Sequence, residues 1–310
     1  MIRYSLKRLL VSILLLWAVS LLSFLLLHLI PGDPLVAILG EGADRHDEGR
    51  IRRQLGLDQP LWKQYQDFNH RLLNLSLGQS LYYARPVSRV IMAHLPSTLI
   101  LAMAALTVAI LIALPLGFIG GWNPGGKWDG IITVLTSLGM SIPTFLLGLM
   151  LILLVAVKMK LLPVSGNGNG SALILPALTL GISAGSLLTR VVRTAIAGER
   201  EAPYVLLARA KGVAPRRIIY RHILPNAALP LITMIGLQFG ALLSGAVITE
   251  TIFSRPGIGS LLVDSIRRRD YPTIQGLILF TASLFLLINL LVDLSCWRVQ
   301  PRTRPRSRKA

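Results

Sequence analysis

The stretch "ARAKGVAPRRIIYRHILPNA", Ala208 to Ala227, sits between two long apolar runs and holds five Lys or Arg, one histidine, one glycine and two prolines. So much charge does not lie inside hydrocarbon, so the stretch belongs at one face of a membrane, and the runs beside it are separate crossings. Of 310 residues 53% are hydrophobic and 15% charged. With a mean hydropathy of +0.62, that is too apolar for a soluble domain of this length. A crossing helix needs roughly 20 mostly apolar residues. Stretches at about 9–30, 98–122, 131–159, 172–196, 227–250 and 273–297 meet that length. The expectation is an all-α membrane protein with six transmembrane helices.

The formal charge of +18 raises the question of nucleic acid, but its placement matters more than its sum. Lys and Arg number 3 before the first run, 1 between the second and third, 8 from Arg190 to the fifth, and 6 after the last. The alternate segments carry 14, of which 8 lie in the long stretch 31–97 beside 7 acids. Long loops cross largely regardless of charge, so the short-segment comparison is 18 against 6. Both termini are therefore expected in the cytoplasm, residues 31–97 outside it, and the basic surplus reads as topology first and as a docking surface second, with membrane lipid but no nucleic acid as a partner. The first run is longer than a signal-peptide core and is followed by "PGDP" (Pro31–Pro34) instead of a small-residue cleavage site, so it reads as retained.

Enzyme signatures are thin. "GWNPGGKW" (Gly121–Trp128) fits part of a phosphate loop but ends in Trp where a Ser or Thr is needed, and it follows an apolar helix; it reads as a short cytoplasmic turn. His28, His46, His70, His94 and His222 are scattered, and Cys296 is the one cysteine, which leaves no metal cluster, no intramolecular disulfide and no catalytic residue to name. Asp293, four residues after Asn289, is an acid within a run. It raises an ion-coupled secondary transporter as a distant alternative, against a simpler role as a paired residue near the cytoplasmic end. Glu250, at the far end of the fifth run, reads as a solvated or paired interface residue. A scaffold protein is a further alternative.

Pro115, Pro143 and Pro176 interrupt three of the runs, and lipid cannot satisfy a freed carbonyl, so a bundle with an interior pathway is favoured. Ser141, Pro143, Gln238 and Ser244 are the candidate pathway residues. Glycines in "GLQFGALLSG" (Gly236–Gly245) allow close helix approach. Apolar positions at helical spacing in Leu55–Leu81 predict short amphipathic helices, broken at Pro60, Gly78 and Pro86. "VSGNGNGSA" (Val164–Ala172) reads as an exposed loop.

Within the opening stretch, "PYVLLARAK" (Pro203–Lys211) reads as a helix with proline at its start, stopped by Gly212. A second helix follows. Ile218, Ile219, His222 and Ile223 fall on one side of it, with Arg216, Arg217, Tyr220 and Arg221 on the other. Two short helices at an angle would lie along the cytoplasmic surface, their basic edge turned to water, anionic lipid or a partner.

"YVLLARAKGVAPRRIIYRHILPNA" resembles the EAA loop of ABC importer permeases, in the form used by peptide and nickel permeases. The resemblance runs through nearly the whole chain: "LKRLL", "LGLDQPLWKQY" (Leu55–Tyr65), "LPSTLILA" (Leu95–Ala102), "IPTFLLG" (Ile142–Gly148) and "ETIFSRPGIGSLLVDSIRRRDYPTIQG" (Glu250–Gly276). It departs where the motif name begins with Glu-Ala-Ala, for Leu206-Leu207-Ala208 stand there. The resemblance implies a six-helix type I importer permease of the bacterial inner membrane, paired with a homologous second permease. One or two ABC ATPase subunits would bind the ATP and magnesium, this chain holding no cofactor, and an extracytoplasmic binding protein would deliver dipeptides, oligopeptides, nickel or a metal chelate. Residues 203–226 would be the coupling loop, with Ala208, Arg209, Ala210, Lys211, Gly212, Arg216 and Arg217 on the docking surface, Tyr204 and Leu207 in the ATPase groove, and Gly212 setting the bend. The segment 31–97 and "RRRDYP" (Arg267–Pro272) would share the outer face.

Overall fold

The computed structural model describes residues 2–29, 58–74, 76–166 and 170–299, and every regular element among them is a helix. The helices are α1 (Ile2–Leu29), α2 (Leu61–Leu73), α3 (Val87–Trp122), α4 (Lys127–Ser141), α5 (Thr144–Leu151, continued by a π turn Ile152–Lys158), α6 (Ile174–Arg200), α7 (Pro203–Ala210), α8 (Pro215–Ile218), α9 (Leu224–Ile252), α10 (Ile258–Arg267) and α11 (Tyr271–Val299). Pro31–Pro34, His46, part of the 164–172 loop and the side chains of His28 and Cys296 lie outside the described residues.

By length and composition three helices can cross a membrane: Val87–Trp122, Gly170–Arg200 and Tyr271–Asp293. Two bent pairs, Lys127–Ser141 with Thr144–Lys158 and Pro215–Ala228 with Pro230–Ser244, bring the number to five among the described residues, and Leu10–Leu25 is a shorter apolar stretch. The prolines behave differently from one another. Pro115 is absorbed in the unbroken α3, and Pro176 sits in the first turn of α6, where no N–H is needed. Pro143 breaks its run, with a bend of 99°. It offers no N–H to the carbonyl of Gly139, and it forces Ile142 into extended backbone (φ −77, ψ 121). The run 131–159, read from sequence as interrupted at Pro143, is thus two half-length helices.

The chain forms two compact units. In the first (residues 1–98 and 256–286), Tyr65, Phe68 and Leu72 line one face of α2. Phe24 stacks on Tyr65 and Phe68 at 5.3 and 6.0 Å, and Leu279 completes the cluster. Pro60, in extended backbone, starts α2; Gly78 turns with φ +84; Pro86 precedes α3. The buried Asp270 caps α11 and binds the preceding segment. Its carboxylate accepts from the Ser80 hydroxyl (2.5 Å), the Leu81 N–H (3.1 Å) and the Thr273 hydroxyl (2.8 Å). Arg268 lies 3.6 Å over the Tyr82 ring. "RRRDYP" and the 76–86 segment are therefore neighbours within this unit. Thr98 accepts the Ile258 N–H at 2.8 Å, which closes the start of α10.

In the second unit (residues 99–255 and 287–310) α6 is the central element, packed by α4, α5 and α9 and by the later part of α3. Small residues make this geometry. A Cβ on Gly181 would meet Val108 at 2.6 Å and the Ala105 carbonyl at 2.9 Å; one on Gly117 would meet Val192 at 2.5 Å, and one on Gly121 the Arg193 carbonyl at 2.5 Å. The contacts advance together along both chains, so α3 and α6 run parallel, as the second and fourth of a series of crossings must. Both carry glycines four apart, Gly117 with Gly121 and Gly181 with Gly185, the spacing that brings helix backbones together where lipid supplies no hydrophobic drive. Gly236 stands likewise against Val292 on α11. Buried hydroxyls of Thr179, Ser186 and Thr189 return to carbonyls of α6 itself.

The "GWNPGGKW" segment is a turn here. Asp129, the residue after it in the first turn of α4, is buried and forms a two-pronged pair with Arg193 of α6, one prong at 2.8 Å, and accepts the Gly125 N–H at 2.8 Å. Arg200 donates to the Trp122 carbonyl and lies 5.7 Å over its ring. Substituting Gly181 by Val should cost about 1–3 kcal/mol by overpacking, read as a lowered Tm of the detergent-purified chain. Gly130→Val, where nothing stands within 4 Å, should leave Tm within a degree or two.

Candidate coupling surface

α7 starts as its sequence demands, with Ala202 in extended backbone and Pro203 in the first turn. It ends by two linked bonds, Gly212 N–H to the Arg209 carbonyl (3.0 Å) and Val213 N–H to the Ala208 carbonyl (3.1 Å). That closure needs a left-handed residue, and Gly212 has φ +72. α8 begins the same way, on extended Ala214 and Pro215. It does not remain a separate helix. A π turn, Ile219–Ile223, joins it to α9, because Pro225 offers no N–H and crowds the Arg221 carbonyl, and a wider turn relieves both. The expected second short helix is therefore the lower end of the fifth run.

The inner face is apolar. Val205, Ala208, Ile218, Ile223 and Ala227 are buried together with Val192 and Ile196 of α6. Ala208, 9% exposed, therefore belongs to the core and not to the docking surface expected of it. Facing outward are Leu206 and Leu207, 53% and 56% exposed, Tyr220, and the side chains of Arg209, Ala210, Lys211, Arg216, Arg217 and Arg221. None of these five cations forms an ion pair among the described residues. The two-sided reading of residues 216–223 holds: Ile218 and Ile223 are buried, while Arg216, Arg217, Tyr220 and Arg221 are exposed.

Tyr204 departs from expectation. Its hydroxyl donates to Glu199 of α6 and accepts from the Asn226 amide at 3.0 Å, while Asn226 also donates to the His222 carbonyl at 2.8 Å. It braces the hairpin from within the chain. Leu206, Glu199 and Asn226 escaped the sequence reading. Three apolar residues in a row, 205–207, give no phase, so only the position of α6 decides which turn inward.

The expected pathway residues do not converge. The hydroxyls of Ser141 and Ser244 return to the carbonyls of Ser137 and Gly240. Gln238 and Ser244, six positions apart on one helix, point about 120° away from each other. Pro143 alone has a structural consequence, the bend. Glu250, read as a solvated or paired interface residue, is fully buried and so not solvated, and both it and Asp293 interact within the fold.

Residues 113–305 match the model of the binding-protein-dependent transport system inner membrane component, and residues 1–102 that of the N-terminal part of such membrane components. The chain belongs to this family. The glutathione transport system permease protein GsiC of Salmonella typhi is 39% identical over 306 residues, 98% of this chain and 99% of that one. The GsiC of Escherichia coli K12 is 38% identical over the same span. Inward-facing MetNI methionine ABC transporter structures share the fold, with a TM-score of 0.56 at 19% identity over 68% of this chain and 97% of theirs. An amino acid ABC transporter, at 0.55 and 16% over 68% of this chain and 94% of its own, shares it too. This family member is the permease subunit of an ABC importer and a multi-pass protein of the bacterial inner membrane. It is not itself an enzyme, the ATPase being a separate subunit.

Tyr204→Phe removes both bonds of the brace, worth about 1–2 kcal/mol. Amide hydrogen exchange across residues 203–210 should then quicken by roughly tenfold, while α6 exchanges as before.

Proposed function

We propose that this permease imports dipeptides or oligopeptides handed over by an extracytoplasmic binding protein, beside a homologous second permease and driven by one or two ABC ATPase subunits docked on residues 203–226. The observation that carries the reading is the outward face of that hairpin. Leu206 and Leu207 stand exposed on a short helix, and Arg209, Lys211, Arg216 and Arg217 are exposed on the same hairpin without acidic partners among the described residues. Exposed leucines beside such charges suit a groove on another protein better than water. The cargo reading is supported by the glutathione permeases at 39% identity, since glutathione is itself a tripeptide.

The hairpin is also built to transmit force. Its core side holds α6 through Val192 and Ile196, and helix runs on from Pro215 through the π turn into α9. ATP-driven closure of the docked subunits would displace α7 and α8, and α6 and α9 would follow, switching access across the membrane. ATP and magnesium would be held by the ATPase subunits. Contact with anionic lipid would use the same basic side chains.

Gly212→Asp places a carboxylate where nothing stands within 4 Å and where φ is positive. The variant should reach the membrane in normal amount yet lose uptake; normal uptake would remove the hairpin from coupling. Gly212→Ala, which adds only about 1 kcal/mol of backbone strain, should keep most of it. Uptake of labelled dipeptide and of radioactive nickel in cells lacking and regaining the gene tests the cargo. Peptide uptake alone should follow the gene, and dependence of nickel alone would assign a metal or chelate cargo instead.

A further inference from the structure

Arg190 lies on α6, ten residues before its end, and its side chain is exposed. Its recorded partner is not an acid: the guanidinium Nη1 donates to Met140 Sδ at 3.6 Å. Met140 is on α4, eleven residues beyond Asp129, which amounts to about 16 Å along the helix. Asp129 and its partner Arg193 mark the level where α4 begins, so Arg190 reaches from near that level towards the middle of the crossing. The direction is the natural one, since helical side chains lean towards the helix N-terminus. It is the reverse of a cation stretching back to the headgroups.

A cation at that depth facing lipid costs about 2.5–3.5 kcal/mol even by the mildest scales. It persists where water or a counter-charge meets it. The same place holds the 99° bend after Ser141, where the Gly139 carbonyl has lost its helical partner to Pro143. Non-helical backbone at membrane depth is tolerated where protein covers it or a water-filled cavity adjoins it. Two independent features, a cation without an acidic partner among the described residues and a broken crossing, thus meet at Met140.

We propose that Arg190 lines an aqueous translocation path at this bend and pairs there with the carboxylate of the passing peptide, an inference that rests on the peptide cargo proposed above. Every peptide with a free C-terminus carries a carboxylate, and the planar guanidinium matches it with two parallel hydrogen bonds. A lipid phosphate is the poorer fit, because Arg190 reaches away from the end of α4 at which Asp129 stands. Charge placement alone counts Arg190 with the cytoplasmic residues, since a basic residue near the end of an apolar run is indistinguishable there from a snorkelling one.

The test uses the full importer in proteoliposomes, with labelled dipeptide as cargo and Arg190→Cys made in a Cys296→Ser background. A water-soluble methanethiosulfonate reagent should modify R190C on this chain, as read by mass, and saturating peptide-loaded binding protein should slow the reaction severalfold. Arg190→Gln should cut peptide uptake at least tenfold while co-purifying with its partners as the wild type does, and Arg190→Lys should restore an intermediate rate. An inert R190C, wild-type uptake by R190Q, or R190Q that fails to assemble with the second permease would each overturn the proposal, the last by assigning Arg190 to a subunit contact. Failure of the peptide reading looks different: the wild-type importer would take up no peptide, and reactive R190C would retain the aqueous path while the carboxylate partner would be lost.

Discussion

The close approach of α3 and α6 is the constraint on which the second unit depends. Inside a bilayer, apolar side chains gain nothing by leaving lipid for one another, so helices hold together through packing and the loss of gaps. Gly117, Gly121 and Gly181 leave no room for a Cβ at this contact and Gly185 leaves little, and the helices meet backbone to side chain. Once α6 is fixed in this way, Arg193 can reach Asp129 on α4, Arg200 can reach Trp122, and Val192 and Ile196 can receive the hairpin.

The hairpin follows from that placement. Val205 and Ala208 are buried because α6 presents an apolar end to them, and Leu206 and Leu207 are exposed because one turn of helix cannot bury four residues in succession. Gly212 then reverses the chain within two residues, and Pro215 restarts the helix. Basic side chains on the outer face keep the exposed leucines in water without burying them in the chain's own core.

Much of this was legible in the sequence, and the reason differs by element. Run length and charge placement located the apolar helices because both are demanded by the solvent, whatever the neighbours. Gly212 was legible because its conformation is nearly unique to glycine. The inward side of residues 216–223 was legible from spacing alone, although the helix there is partly a π turn. Other features depended on a neighbour that spacing does not reveal. Ala208, expected on the docking surface, is buried, and Leu206, to which no role was given, is exposed, because α6 lies on the side of the former. Asp129 drew no reading from the sequence, because its partner Arg193 is 64 positions away. Tyr204 looked like an aromatic anchor for another protein and is held by Glu199 and Asn226. Proline also proved ambiguous: Pro115, Pro143 and Pro176 are alike in composition, and only Pro143 breaks its helix.

The bend at Pro143 bears on how the protein is made. α4 has 15 residues and is about 22 Å long, short of the roughly 30 Å of hydrocarbon, and the helix beyond the bend is no longer. Neither half is a self-sufficient insertion signal, and the polar backbone between them has no shelter while the chain is still emerging. Synthesis from the N-terminus delivers this segment before α6, the helix against which both α4 and α5 pack. The third crossing is thus the last of the first four to become stable, and its completion waits on the arrival of a later one.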